Sequence, residues 1–206
     1  MPIPDKHDRI LDALQTLLEN QNIQKISVSD IAQTAGIAKG SIYYYFPSKD
    51  AIVEALVERS YASSIETAKQ LAKQTTIPPF TRMALIFQAC RNSSSEFLKQ
   101  NPAASQSSIQ EQTLLHHKYL RYIIMELKPV LTEIIRQGID NGEISFDHPQ
   151  SLAEIVLLVL TVKIDNTLIP STREEIEQVI LDLIALLEKG TGNPKGSLNF
   201  LTLSTI

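Results

Sequence analysis

The sequence predicts an all-helical protein, for two main reasons. Apolar residues recur at intervals of three and four over most of the chain, as they do on one face of an α-helix, and nothing in the carboxy-terminal half reads as a strand pair. The periodic stretches end at helix-stopping residues, which are Gly36, Pro47, Pro78-Pro79, Asn101-Pro102 and Gly142. We therefore expect about nine helices.

The same stops divide the chain into parts. Residues 1–50 form a small amino-terminal domain that extends into a connecting helix at about residues 48–73. Residues 74–190 form a larger helical domain with segments at about 80–99, 109–117, 118–141, 149–166 and 172–189. The third of these is expected to break near Pro129, and the last to begin at the signature Ser171-x-x-Glu174. Residues 191–206 are a tail without a clear helical pattern, expected to be loose or to dock on a neighbour.

The amino-terminal domain begins with an amphipathic helix and continues with a helical hairpin. Apolar residues at one-face spacing on the first helix provide a packing surface, and they are Ile10, Leu11, Leu14, Leu17 and Leu18. The capping signature Ser27-x-x-Asp30 starts the next helix, and Gly36 stands where helices commonly end in a left-handed residue. A helix of barely two turns, Lys39 to Tyr45, follows before Pro47.

This short helix carries groups suited to DNA. Ser41, Tyr43, Tyr44 and Tyr45 offer hydroxyl groups, and Gly40 has no side chain to keep the helix away from a phosphate or base edge. Lys39 and Lys49 place positive charge on either side, and Ile42 is the expected inward anchor. The segment is typical of a helix-turn-helix that reads DNA. The alternative is an amphipathic hairpin whose tyrosines are half-buried at its rim.

Residues Arg9 to Leu56, with IAQTAGIAKGSIYYYFPSKDAIVEAL at their centre, resemble the DNA-binding domain of the tetracycline-repressor (TetR/AcrR-like) family of bacterial transcriptional regulators. The resemblance implies that Lys39 to Tyr45 is the recognition helix. Its implied DNA-facing residues are Lys39, Gly40, Ser41, Tyr43, Tyr44 and Tyr45, although the family sometimes packs an aromatic side chain at the position of Tyr44. Ser29 and Lys49 would contact backbone phosphates.

Three positions depart from the family pattern. Asn22 stands where glycine is usual, and asparagine tolerates a left-handed conformation well. Ala38 replaces a capping serine, which should cost about 0.5 to 2 kcal/mol of helix stability. Ser29 is shorter than the basic side chains of some relatives, so its contact with DNA is left open.

Charge sets a limit on DNA affinity. The chain has 19 basic and 23 acidic residues and a formal charge of -4, and its first fifty residues are also slightly acidic. Binding must therefore depend on the local placement of a few groups, with a shallow dependence on salt.

Other classes of protein are disfavoured. The sequence has no amino-terminal signal pattern and no apolar run of about 18 residues, which favours a cytoplasmic protein. It has no GxSxG, GxxxxGK or HExxH motif and no nucleotide fingerprint, so we expect no enzyme activity, cofactor or metal. The adjacent His116 and His117 point in different directions on a helix, and the single Cys90 reads as a packing residue.

The larger domain suggests two further sites. Two strongly apolar helices are expected to meet their copies in a four-helix dimer interface, through Leu152, Ile155, Val156, Val159, Val162, Ile176, Val179, Ile180, Leu183 and Leu187. The alternative is that both helices are buried within one chain. By the resemblance, the preceding helices would enclose an effector pocket, with Phe87, Cys90, Phe97, His116, Tyr119, Tyr122 and Met125 as candidates.

Together these expectations describe a homodimeric repressor that a small-molecule effector releases from double-stranded operator DNA. Two alternatives stay open. One is a regulator that answers to a protein partner or acts as an activator, and the other is a helical small-molecule carrier or enzyme whose hairpin is structural.

Overall fold

The computed structural model describes residues 5–100, 109–165 and 169–202, with side chains described except at residues 98, 100, 109–116, 164 and 165. These residues form eight α-helices and one 3-10 turn and contain no strand, which confirms the all-helical class. The helices are α1 (Lys6–Leu18), α2 (Val28–Ala35), α3 (Lys39–Tyr45), α4 (Lys49–Lys73), α5 (Pro79–Gln100), α6 (Ile109–Asp140), α7 (Pro149–Asp165) and α8 (Arg173–Gly190), and the turn is Asn199–Leu201. None of the described helices has both the length and the apolar character needed to span a bilayer.

Helix α6 continues through Pro129, where the sequence indicated a break. Two predicted segments, at about 109–117 and 118–141, are therefore one helix. A proline inside a helix removes the hydrogen bond to the carbonyl four residues earlier. That residue is Met125, and both it and Pro129 lie on the exposed side of α6, where water can replace the lost donor.

The chain forms two compact units whose limits differ from the expected domains. The first unit is Met1–Ala62 with Asn92–Tyr122, and the second is Ser63–Arg91 with Ile123–Ile206. Helices α4, α5 and α6 each contribute residues to both units. The connecting helix α4 therefore contributes to both compact units. Its apolar pattern continues without a break, so the sequence did not indicate that the first unit ends at Ala62 within this helix.

The core of the first unit is formed where α1 covers the helical hairpin. Ile10, Leu11 and Leu14 of α1 are buried, as are Ile31 of α2 and Ile42 of α3. A second cluster in this unit is aromatic. Its members are Tyr61, which stacks on Tyr119 with ring centroids 4.7 Å apart, and Phe97, 6.2 Å from the Tyr61 ring.

A buried arginine joins three helices of the second unit. Arg82 of α5 is 1% exposed, and its Nη1 donates to Gln137 Oε1 at 2.5 Å and to the Ala72 carbonyl at 3.2 Å. Gln137 Nε2 of α6 donates to the same carbonyl at 3.2 Å. Ala72 lies in the last turn of α4, where carbonyls lack partners within the helix, so this pair caps α4.

The described part of the tail packs against its own chain. Glu188 of α8 is buried, and its Oε1 accepts hydrogen bonds from the amides of Gly196 at 2.8 Å and Leu198 at 3.0 Å. Leu198 and Leu201 are buried against α7 and α8. The expectation of a loose tail, or of one that docks on a neighbour, is therefore wrong for residues 191–202.

Candidate nucleic-acid interface

The hairpin of α2 and α3 is fixed by local signals that the sequence predicted. Ser27 Oγ accepts from the Asp30 amide at 3.2 Å, and Asp30 Oδ2 accepts from the Ser27 amide at 2.7 Å. Hydrogen bonding from the Ser27 side chain, and then from the Ser27 backbone amide, favours the charged carboxylate and lowers the pKa of Asp30. Gly36 ends α2 with φ of 64°, in the left-handed region that favours glycine. The predicted start and end of α2 are confirmed.

A contact that the sequence did not indicate holds the end of α2. Arg9 Nη2 of α1 donates to the Ala35 carbonyl at 2.6 Å and lies 3.4 Å from the Gly36 carbonyl. A Cβ at Gly36 would lie 3.3 Å from this nitrogen, so glycine also leaves room for the guanidinium. The arginine therefore ties α1 to the turn that sets the direction of α3.

One side of helix α3 packs into the core, and the other side is exposed. Ile42 is fully buried and Phe46, directly after the helix, is 4% exposed. Tyr43 is 50% and Tyr44 85% exposed, and a methyl group at Gly40 would meet no atom within 4 Å outside the local backbone.

The remaining members of the predicted DNA-facing set differ in exposure. Lys39 is exposed, whereas Ser41 and Tyr45 are half-buried. The Tyr44 ring packs edge-on against the Tyr45 ring, with centroids 5.1 Å apart. The half-buried rim predicted by the alternative interpretation thus describes Tyr45 but not Tyr43 or Tyr44. Ala38 caps the helix without a side-chain hydrogen bond, as expected from its methyl side chain.

Lys49 lies at the start of α4, where Ser48 Oγ caps the helix by accepting from the Ala51 amide at 3.1 Å. Its ammonium donates to the carbonyls of Ile23 at 2.6 Å and Ile26 at 2.7 Å. Burial lowers the pKa of Lys49, an effect that the neighbouring Asp50 opposes. Two of the three ammonium protons of Lys49 therefore form hydrogen bonds within the chain, whereas the family resemblance implies that Lys49 contacts a DNA phosphate. Ser29, in the first turn of α2, is exposed.

Six of the seven effector-pocket candidates have described side chains, and they are divided between the two units. Phe87, Cys90 and Met125 belong to the second unit, and Phe97, Tyr119 and the half-buried Tyr122 to the first; the side chain of His116 lies outside the described residues. Met125 is 65% exposed, so its assignment to an enclosed pocket is wrong. Cys90 is buried, and desolvation raises the pKa of its thiol to about 11.

The predicted dimer residues divide by burial. Four are buried in the core of their own chain, and their assignment to an interface is corrected: Leu152, Ile176, Ile180 and Leu183. Four are half-buried: Val156, Val159, Val162 and Leu187. Ile155 and Val179 are exposed, together with Leu158 and Leu186, which the prediction did not include. The helical period predicts apolar faces on both helices, but residues of the tail cover part of these faces, which sequence spacing cannot reveal.

The arrangement of α1, α2 and α3 defines a helix-turn-helix module of the DNA-binding type. Comparison with known proteins agrees, because residues 10–56 match the model of the family described as bacterial regulatory proteins, tetR family. This match lies within the amino-terminal segment of the chain, and it confirms the resemblance seen in the sequence.

Curated relatives match mainly this segment. The chain is 43% identical over 54 residues to the HTH-type transcriptional regulator EthR of Mycolicibacterium smegmatis, a match that covers 26% of this chain and 25% of that protein. It is 29% identical over 107 residues to the nucleoid occlusion factor SlmA of Haemophilus ducreyi, covering 50% of this chain and 49% of that protein. The chain thus spans about a quarter to a half of the length of these relatives.

Solved structures share the fold over nearly the whole chain. The repressor SmeT of the Stenotrophomonas maltophilia multidrug efflux pump SmeDEF has a TM-score of 0.63 at 16% identity, covering 93% of this chain and 92% of that one. FadR of Bacillus subtilis in complex with stearoyl-CoA has a TM-score of 0.57 at 22% identity, covering 96% and 98%. RolR in complex with resorcinol has a TM-score of 0.60 at 16% identity, covering 96% and 93%. At these identities the likeness concerns the fold alone.

Proposed function

We propose that this protein is a DNA-binding transcriptional regulator that places α3 in the major groove. One observation carries the proposal: α3 is anchored by the fully buried Ile42 while Gly40, Tyr43 and Tyr44 are presented outward. A helix of seven residues adds little to a core, and exposed tyrosines are hard to explain by stability alone. Hydroxyl groups and a bare backbone are what a helix needs to approach phosphates and base edges.

We further propose a homodimeric, cytoplasmic repressor that a small molecule releases from its operator. Two copies of α3 would read half-sites one DNA turn, roughly 34 to 36 Å, apart. The exposed apolar residues of α7 and α8 support a dimer. Structures of the same fold were solved with resorcinol and with stearoyl-CoA, and SmeT is a repressor, which supports a small-molecule effector and negative control. We do not propose an enzymatic activity for this protein.

The sharpest test changes one glycine. Gly40→Ala adds a methyl group that meets nothing in the free protein, and it should stabilise α3 by about 0.5 to 1 kcal/mol. On DNA the same methyl would lie between α3 and the groove, so we expect affinity to fall at least tenfold. Gly190→Ala at the end of α8, also in open space, is the matched control and should leave DNA affinity unchanged.

The duplex for this test comes from selection out of a random pool, because the operator must be identified first. Affinities are measured by fluorescence anisotropy, and stability by urea unfolding. A Gly40→Ala variant that binds as tightly as wild type would place α3 away from the groove. Failure to enrich any duplex would contradict DNA binding altogether. If the complex resists a broad panel of metabolites and drugs, a protein partner becomes the better candidate for the signal.

A further inference from the structure

The second unit contains a small apolar cavity of about 40 Å³. Its wall includes Phe80 and Phe87 of α5, Ala153 of α7 and, from the tail, Thr191, Asn193 and Phe200. The remaining lining side chains are aliphatic or Met. Of the six effector-pocket candidates whose side chains are described, Phe87 alone lines this cavity.

The few polar groups at the wall are already in use. Thr191 Oγ1 donates to the Leu187 carbonyl at 2.7 Å, and Asn193 Nδ2 donates to Thr191 Oγ1 at 2.6 Å. A cavity of about 40 Å³ has room for water, yet an ordered water there needs two to four polar partners. The cavity therefore suits an apolar occupant, and it offers no partner for a charge.

The tail contributes an aromatic side chain to the wall of this cavity, which stays partly open to solvent. The ring of Phe200 lies 6.5 Å from that of Phe80 and 6.4 Å from that of Phe87, measured between centroids. Its backbone is held by a short 3-10 turn and, further back, by the two amide hydrogen bonds to Glu188. Ser197 lies between the two residues whose amides bind Glu188, and its hydroxyl is buried without a hydrogen-bond partner. This unsatisfied hydroxyl destabilises the packed conformation of the tail.

We propose that this cavity is a binding site for an uncharged ligand the size of one aromatic ring, and that Phe200 occupies most of the ligand's place until the tail moves. Apolar cavities of about 150 Å³ bind benzene in a folded protein. The present cavity is smaller, so a ring enters only when the ring of Phe200 leaves. The tail and the ligand compete for the surface formed by Phe80, Phe87 and Ala153.

The proposal deepens the effector part of the proposed function and rests on it only for the consequence at DNA. Ligand entry would free residues 196–201 from α8 and alter the packing of the second unit. The binding step is measured without DNA, so the two proposals fail separately.

The experiment measures benzene binding to the full-length chain. Binding is followed by the ligand-dependent rise in Tm and by saturation-transfer NMR. We expect Phe200→Ala to bind benzene at least tenfold more tightly than wild type, because no ring has to be displaced. Benzoate, which has the same ring and a charge, should not bind either protein. Phe146→Ala removes a half-buried ring that does not line the cavity, and should match wild type.

A second substitution tests the location. Ala153→Met in the Phe200→Ala background fills the cavity from α7 and should return benzene affinity to the wild-type level or below. Should Phe200→Ala fail to fold, Glu188→Ala releases the tail instead, and Glu188→Gln retains the accepting oxygen as its control. Equal benzene affinity in wild type and the tail variants, or undiminished binding after Ala153→Met, would overturn the proposal. Loss of DNA affinity on adding benzene to Phe200→Ala would assign the site to the effector, whereas unchanged DNA affinity would overturn only that assignment.

Discussion

Two lysines at the edges of α3 illustrate how burial separates residues of identical chemistry. Lys39 is exposed at the first position of α3, while the ammonium of Lys49 lies on the carbonyls of Ile23 and Ile26. An exposed ammonium group can replace a counterion on DNA directly. An ammonium group that donates to two carbonyls must first break those hydrogen bonds. The two side chains should therefore affect different measurements.

We expect Lys39→Ala to reduce the slope of log K against log salt by about one per protomer and to leave the free energy of unfolding within about 0.5 kcal/mol of wild type. Lys49→Ala should instead cost about 1 to 3 kcal/mol of stability, because it leaves two partly buried carbonyls without their donor. Salt titrations of anisotropy and urea unfolding measure the two effects. If Lys49→Ala lowers the salt slope and leaves stability intact, Lys49 contacts phosphate as the family resemblance implies.

Residues that act locally were predictable, and those that act across the chain were not. The Ser27 cap, the left-handed Gly36 and the buried Ile42 each follow from neighbours within a few positions. Arg9 and Lys49 meet their partners 23 to 27 positions away, so nothing in the local pattern indicated their roles. The burial of Ile176, Ile180 and Leu183 likewise involves residues of the tail, Leu198 and Leu201, which are far away along the chain.

At the scale of the element, the weak start of α3 is a property that can be changed. Ala38 occupies the N-cap with extended backbone angles, φ of -66° and ψ of 139°, but offers no side-chain acceptor to the first turn. The packing of Ile42 therefore holds a helix that local interactions alone leave frayed at its start. DNA contact would order the same turn from outside.

Ala38→Ser should supply the missing acceptor and raise the free energy of unfolding by about 0.5 to 2 kcal/mol. The measurement is urea unfolding with Ala38→Gly as the control, since glycine suits the N-cap position without providing a side-chain oxygen. Serine is also expected to leave DNA affinity equal or higher, because an ordered α3 needs less reorganisation on binding. A serine variant no more stable than the glycine variant would show that packing already orders this turn.

The residue at which a helix begins is predicted less accurately from the sequence than the presence of the helix. The sequence predicts the start of α8 at Ser171-x-x-Glu174, but the capping box forms one residue later, between Thr172 and Glu175. Both pairs satisfy the same rule, and the buried positions Ile176 and Ile180 select the register. Continuity of α6 through Pro129 likewise depends on which side of the helix faces solvent.

At the scale of the whole molecule, exposed apolar side chains on α7 and α8 need an explanation. Ile155 and Leu158 lie one turn apart on α7, and Val179 and Leu186 two turns apart on α8. Leu186 is 70% exposed, so its replacement leaves the core of the chain intact. Exposed rows of this kind on adjacent helices are typical of an interface between copies.

We expect wild type to elute in size exclusion with light scattering at twice the chain mass of 23.0 kDa at micromolar concentration. Leu186→Glu should shift the monomer–dimer equilibrium by at least about 100-fold towards monomer, because it places two carboxylates in a desolvated contact. Met125→Glu alters a similarly exposed apolar residue on α6 and is the matched control. DNA affinity should fall in parallel with dimerisation, since one α3 reads only one half-site. A wild-type monomer would contradict the dimer and remove the geometric basis for release by an effector, whereas a Leu186→Glu protein that stays dimeric would place the interface on another surface.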